Sequence, residues 1–520
     1  MKTDSGATRS VWMDVAPLPS RPALAQDLRA DVCVVGAGIA GLTTAYLLAR
    51  EGRRVAVLDD GPTAGGETSR TTAHLTHVID DRYHWIEQVH GQEGARLAAE
   101  SHTAAIDQIE AIVRSERIAC GFERLDAYLF PRPGDSPDEL TREYEAARRA
   151  GILGVSWASQ APIDGFQTGR CLRFPRQAQF HPLEYLRGVA KGIERDGGRI
   201  HGSTHVTSVK AGRPARVETE GGPAVEADAI VVATNSPISE LIGVHPKQAA
   251  YRTYVIAARV PADSVARALF YDTGWPYHYV RLYRPEGENG TELLIVGGED
   301  HKTGQADDAG ERWDALESWM RERFAPAGEV VTRWSGQVLE TVDGLAFIGP
   351  EHEGSGVYVA TGDSGMGMTH GTIAGMLLRD LLLGQENPWA HLYQPGRVSL
   401  RAVGDLAKEN LNFVAKYIDY VTAGDVASVD EIPPGEGAVV RRGLGKIAAY
   451  RDPGGELHEM SAVCTHLGCI VHWNSAEKSW DCPCHGSRFD RHGHVVSGPA
   501  RTDLEAREAS RAGNRSGRER

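Results

Sequence analysis

Asp31-Val32-Cys33-Val34-Val35-Gly36-Ala37-Gly38-Ile39-Ala40-Gly41 is an apolar run that ends in G-x-G-x-x-G and opens into the helical stretch Leu42 to Arg50. Strand, glycine-rich turn and helix in that order are the setting in which this fingerprint binds a dinucleotide. Gly36 permits the tight turn, Gly38 lets backbone approach a pyrophosphate, and Gly41 lets the helix pack close on the strand. The helix N-terminus then faces the phosphates. Gly52 stops the helix, and the strand Arg54-Val55-Ala56-Val57-Leu58 delivers Asp59 to the place where a carboxylate bonds ribose hydroxyls. The motif does not distinguish NAD from FAD, and no second copy of it occurs in the chain.

A chain of 520 residues, 41% hydrophobic and 24% charged, has room for two or three domains. Its formal net charge of −14 argues against non-specific nucleic-acid binding, so no nucleic-acid partner is expected. No apolar segment of membrane-spanning length appears, and the proline-bearing stretch before Asp31 has the pattern of neither a Sec nor a twin-arginine signal. No transmembrane segment and a cytoplasmic location are therefore expected. Residues 1–28 read as an N-terminal tail, and the arginine-rich stretch 507–520, with its glycines and serine, as a disordered one. Cys33, Cys120 and Cys171 lie far apart in sequence and read as packed thiols.

The remaining four cysteines fall in two boxes, Cys464-Thr465-His466-Leu467-Gly468-Cys469 and Cys482-Pro483-Cys484-His485-Gly486-Ser487. Paired Cys and His at short spacing suit a [2Fe–2S] cluster with Cys464 and Cys482 on one iron and His466 and His485 on the other; zinc and a disulfide knot are the competing readings. Two neutral imidazoles make such a cluster less negative than an all-cysteine one, which raises its potential. The boxes resemble those of Rieske proteins. Resemblance to the respiratory cytochrome bc type implies a disulfide between Cys469 and Cys484 and a hydrogen bond from Ser487 to a bridging sulfide. It also places Phe489 where that type carries a tyrosine hydroxyl donor, so a lower potential is implied. Ser497-Gly498-Pro499-Ala500 resembles the third loop, which covers the cluster, although Arg501 replaces its second proline.

Three further segments, with the fingerprint, resemble the D-amino-acid oxidase family, also called the glycine and sarcosine oxidase family, over roughly Asp31 to Pro388. The first is Gly65-Gly66-Glu67-Thr68-Ser69-Arg70-Thr71-Thr72, which in the family lies along the pyrophosphate and isoalloxazine. The second is His205-Val206 with the strand Ala229 to Asn235, where the valine backbone meets the adenine and a turn at Thr234 closes over the nucleotide. Asn235 stands for a glycine and tolerates left-handed backbone angles. The third, Asp343 to Gly375, contains Gly362, Gly365, Gly367 and Met368. Its helix, read as Thr372 to Leu383, would aim N–H groups at the flavin pyrimidine ring. The family's substrate domain falls at about 80–340, with Phe180-His181-Pro182, Asp272, Tyr277, Tyr279 and Arg281 as candidates, and Glu292 to Val296 as a strand followed by the segment Gly297 to Lys302.

The expected architecture is thus an α/β, Rossmann-like FAD-binding domain with an antiparallel-sheet substrate domain over 29–395, a linker helix over 396–427, and an all-β Rieske domain over 428–506. FAD and a Rieske [2Fe–2S] cluster are the implied cofactors. The combination implies a dehydrogenase that takes hydride from a carbon beside an amine nitrogen and passes electrons singly through the cluster to an unidentified one-electron acceptor. A flavin–Rieske relay or redox sensor, and a biosynthetic oxidase of a larger metabolite, are the alternatives. Catalytic candidates are Tyr277, Tyr279, Arg281 and Thr369. Alignment on the family's sarcosine oxidases puts Thr369 at a carboxylate-binding lysine, Gly336 at a flavin-linking cysteine and Ile295 at an oxygen-activating lysine, so poor sarcosine turnover, non-covalent FAD and slow reaction with oxygen are implied. Lys302 is read as lying beyond the strand.

Overall fold

The computed structural model describes residues 6–14, 20–238, 244–285, 287, 290–397, 419–420, 422–443 and 445–507. The expected linker helix, with Leu406 to Val421, lies almost wholly outside the described residues, as does the tail beyond Arg507.

The first sheet runs Phe347–Pro350, Val357–Thr361, Ala224–Val232, Leu28–Val35, Val55–Leu58, Arg199–His201. From Val357–Thr361 onward every neighbour on this path is parallel. Parallel strands covered on both faces read as unbroken apolar runs, and Val32 to Val35 are all buried. The helices Ile39–Arg50 and Gly367–Leu382 cover one face. The hairpin Val206–Lys210 with Ala215–Thr219 packs Val217 against Cys33, Val35 and Val232 on the other.

Helix Gly367–Leu382 begins five residues before the start read from sequence. Its glycines are contact points rather than breakers: a Cβ on Gly371 would lie 2.6 Å from Ile39, and one on Gly375 2.5 Å from Thr43, so the two helices touch through them. The turn that starts the helix is made earlier, by Gly365 at φ +70°.

A second sheet of nine strands carries the substrate side, from His74–Leu75 to Val330–Thr341. It is antiparallel apart from one parallel pair, Leu269–Asp272 with Glu123–Phe130. Strand Thr291–Lys302 includes Lys302, contrary to the sequence reading, because a bulge opposite Arg252–Tyr254 lets pairing resume after Gly298. Before the first strand, residues 6–14 are no loose tail. Trp12 is fully buried and donates its indole N–H to Thr71 O at 2.6 Å, while Ser10 Oγ donates to Ser69 O at 2.6 Å.

The C-terminal region is all-β. A three-stranded antiparallel sheet comprises Gly437–Arg442, Gly445–Arg451 and Leu457–Ser461, and a four-stranded one His472–Asn474, Ser479–Asp481, Arg488–Asp490 and Val495–Ser497. Val439, Tyr450, Ile470, Trp480 and Phe489 form its own core. No helix of the described residues is long and apolar enough to cross a membrane.

Candidate functional site

The crevice outside the carboxyl ends of the parallel strands opens into one long cavity that continues beneath the second sheet. Gly36, at φ +106°, leaves no room for a side chain: a Cβ would lie 2.3 Å from Ala233 O. A Cβ on Gly41 would meet Gly36 O at 1.9 Å, so this glycine serves packing and does not line the cavity. Gly36, Gly38, Asp59, Arg70, Thr71, Val206, Thr234, Gly362, Gly365, Gly367 and Met368 all line it. Asp59 accepts from Ala37 N at 2.6 Å and Gly61 N at 2.9 Å, while burial and the charge of Asp60 push its carboxyl up to about 7. Asn235 takes φ +63° as expected, and its buried amide nitrogen has no protein partner. A glycine-lined trough with an orphaned donor and a carboxylate at the second strand's end fits a dinucleotide.

Arg70 lines the cavity through its backbone side, but its guanidinium points away. It donates to Gly6 O, Thr8 O and Ser335 O, and pairs at 3.3 Å with Glu477 of the C-terminal domain. Both side chains are wholly enclosed. Burial pushes the Glu477 carboxyl up, yet Arg70, Arg252 and Arg488 outweigh it and pull the group down to about 2. Arg252 lies 3.6 Å from Glu477 and 3.9 Å from Asp481, and Arg488 bonds Asp481 at 3.1 Å. A buried ring of charge therefore ties the loop Gly65–Thr72 to the C-terminal domain.

At the far end Tyr277 donates to Asp80 Oδ2 at 3.0 Å, and the Tyr279 hydroxyl meets Thr253 Oγ1 at 2.7 Å. Thr369 lines the cavity, but its hydroxyl is held between His102 Nδ1 at 2.9 Å and Met366 O. Arg281 is a correction to the candidate set. It lies off the cavity, stacked 5.2 Å from the Trp12 ring, with its guanidinium donating to Thr72 O, Ala73 O and Phe180 O. Its role is to hold loops, because a fully buried guanidinium with three carbonyl acceptors has no face left for substrate. Asp272 is likewise engaged, bonding His278 through both backbone and ring. Ile295 and Lys302 do not line the cavity; the Lys302 ammonium lies over the Tyr251 ring instead.

Sequence reading missed the acids. Asp80 and Asp363 line the cavity, and Asp81, Asp300 and Glu340 lie off it within electrostatic reach of Asp80; burial raises Asp80 and Asp363 to about 6 and Asp81 and Asp300 to about 7, and raises Glu340 as well. They come from four separate segments, and only the adjacent pair Asp80-Asp81 after the apolar Val78-Ile79 offered a local signal.

In the C-terminal domain Cys469 and Cys484 are joined as a disulfide, leaving Cys464 and Cys482 as buried free thiols. A hydrogen bond with Cys482, backbone N–H groups of His466 and Leu467, and Ser487 bring the Cys464 thiol down to about 7, against burial. The His466 and His485 rings converge edge to face with centroids 5.0 Å apart. Two thiols and two imidazoles brought together beside a disulfide fit the donor set of a Rieske cluster, a set that tetrahedral zinc also accepts. Ser487 is fully buried and accepts from Ala500 N at 3.0 Å, tying the third loop to the second. Cys33, Cys120 and Cys171 are buried with thiols pushed up to about 12, 12 and 11, so they are inert packing groups.

The two sites share a wall. Gln337, which lines the cavity, donates to Gly486 O at 3.0 Å, next to His485. A side chain at Gly486 would lie 2.2 Å from Ala250 Cβ, so glycine is what lets the cluster loop seat there. His245, also unforeseen, places its ring 5.3 Å from that of His466.

Comparison with known proteins agrees with this geometry. The family model described as FAD dependent oxidoreductase matches residues 31–381, and that of the Rieske [2Fe-2S] domain matches residues 422–507. YhfW of Bacillus subtilis (strain 168), named as a Rieske 2Fe-2S iron-sulfur protein, is 33% identical over 500 residues, covering 95% of this chain and 96% of its own. Gamma-glutamylputrescine oxidoreductase of Escherichia coli (strain K12) is 26% identical over 374 residues, 69% of this chain and 85% of that protein. The structure of glycine oxidase from Geobacillus kaustophilus superposes with a TM-score of 0.59 at 20% identity, covering 71% of this chain and 100% of that one, a likeness of fold. The chain belongs to the family of FAD-dependent oxidoreductases, and it carries a Rieske [2Fe–2S] domain in addition.

Proposed function

We propose that the protein is a dehydrogenase of amines, oxidising a C–N bond at the Tyr277–Tyr279 end of the cavity and releasing electrons one at a time through its Rieske domain to a separate acceptor. When bound, FAD supplies a two-electron acceptor and the cluster a one-electron carrier. Gly36, Gly38 and the start of helix Ile39–Arg50 would hold the pyrophosphate, with Asp59 toward the ribose. Cys464, Cys482, His466 and His485 would hold the cluster.

The observation that carries the substrate class is a pair of acids lining the cavity, Asp80, which accepts from the Tyr277 hydroxyl, and Asp363. Burial raises Asp80 and Asp363 to about 6, so the wall becomes more anionic as pH rises through that value and a protonated amine gains a countercharge on entering. A relative named for γ-glutamylputrescine, an acylated diamine, supports a substrate with an amine on a chain longer than that of glycine. Thr369 offers no charge to a substrate carboxylate, and Tyr277, Asp80 and Thr253 are placed to orient a nitrogen. Arg70 and Arg501 are the only basic Lys or Arg residues among those lining the cavity, and Arg70 is committed to Glu477. Among the described residues no Lys or Arg lines the Tyr277 end, and Arg82 behind Asp80 spends its guanidinium on the carbonyls of Ile79, Asp80 and Asp272, so fast reduction of oxygen lacks a cation on the cavity face.

Anaerobic titration of the holoprotein with diamines, N-acyl diamines, N-methyl amino acids and glycine tests this. Bleaching of flavin absorbance by the cationic amines is expected. Bleaching by glycine or sarcosine in preference to them contradicts the reading.

A further inference from the structure

The C-terminal domain does more than stand beside the dinucleotide cavity. Val495, Val496, Ser497, Gly498, Ala500 and Arg501 line it, beside the turn that follows strand Ala224–Val232. That turn begins at Ala233, whose carbonyl is the atom nearest a Cβ on Gly36. It therefore runs beside the phosphate end of the trough, at the N-terminus of helix Ile39–Arg50. Gly498 packs against Ser236 and Ile238 of the same turn, with 3.5 Å from a built Cβ to Ser236 O, and Arg501 reaches Ile238 O at 3.5 Å.

We propose that the Rieske domain completes the FAD site, with Arg501 as a ligand of the FAD pyrophosphate. The fork of a guanidinium matches phosphate oxygens, and the 3.5 Å contact to Ile238 O is too long to occupy it. Arg501 is exposed and follows Ala500, which is fixed from the cluster side by Ser487 Oγ. The backbone that carries the cation is thus anchored from the cluster side before it meets an anion. It also means that a family fold which binds its dinucleotide within one domain here borrows a wall from an appended one.

The proposal rests on the FAD assignment and not on the amine reading, and its test uses no turnover. Flavin-depleted full-length protein is titrated with FAD, ADP and adenosine, with the Rieske EPR signal confirming an intact cluster. In Arg501→Ala the affinity for FAD and ADP is expected to fall about tenfold or more, as for loss of a charged hydrogen bond, and the salt dependence of ADP binding to weaken. Arg501→Lys restores part of the affinity, and adenosine binds all three proteins alike. Unchanged ADP affinity in a cluster-loaded Arg501→Ala protein overturns the proposal. So does an equal loss for adenosine, which would mean a displaced wall and no phosphate contact.

Discussion

Replacing Glu477 with glutamine removes the one carboxylate that Arg70 and Arg252 share while keeping its shape. Two routes give the magnitude. Breaking a buried ion pair on one side costs about 3–5 kcal/mol, because the stranded guanidinium keeps its desolvation penalty. Independently, a carboxyl held at about 2 in the folded protein against an ordinary 4.5 contributes about 3 kcal/mol of stability. The sign follows from the depressed value: the contribution is complete above about pH 4.5 and is lost as pH falls toward 2. Since the chain has more than one core, unfolding is not a single transition, and FAD release and cluster visible circular dichroism have to be followed separately during heating. Glu477→Gln is expected to lower the temperature of FAD release markedly at pH 7, because Arg70 belongs to the loop along the cofactor, and to abolish the acid sensitivity of that release between pH 4.5 and 2. A variant that holds FAD as the parent does, or that loses stability without any change in FAD release, refutes the claim that this pair couples the two domains.

Cys469→Ser opens a cross-link between residues 15 apart, worth about 3 kcal/mol in the chain-entropy account, so iron should be lost to chelators faster while flavin absorbance is retained; unchanged iron release counts against the disulfide's role. Asp80→Asn and Asp363→Asn are expected to raise KM for a cationic amine several-fold and to flatten the rise in its affinity between pH 5 and 7, since both carboxyls line the cavity and ionise near about 6; a neutral substrate analogue should feel neither change. Phe489→Tyr should raise the cluster potential by restoring a hydroxyl donor toward sulfur, read by redox titration of the EPR signal, and an unmoved potential would mean the buried ring does not face the cluster.

What the sequence made legible was local. G-x-G-x-x-G, Asp59 and the two Cys/His boxes act within a few residues of themselves, and each landed where spacing put it. Asn235 could be expected at a left-handed position because its side chain tolerates one. The failures came from long-range partners. Arg281 alternates in phase with Tyr277 and Tyr279, so its strand position alone suggested the cavity, but Trp12 from the N-terminal segment and three loop carbonyls claim it. Arg70 was placed on the cofactor loop correctly, while its guanidinium answers to Glu477, 407 residues away. The acid wall had no signature at all beyond Asp80-Asp81, because its members meet only after the second sheet has formed. Gly367 and Gly371 looked like turn residues because no local pattern distinguishes a glycine that breaks a helix from one that lets another helix approach.

The most direct test of the central claim, that the FAD site empties into the Rieske cluster of the same chain, is anaerobic rapid-freeze EPR after mixing the holoprotein with the amine that bleaches it. The Rieske signal is expected to rise within the same turnover as the bleaching, at a rate independent of protein concentration, and to be absent in Cys464→Ser although bleaching persists. A cluster that stays oxidised through bleaching, together with rapid peroxide-forming reoxidation in air that ignores the loss of Cys464, would contradict it.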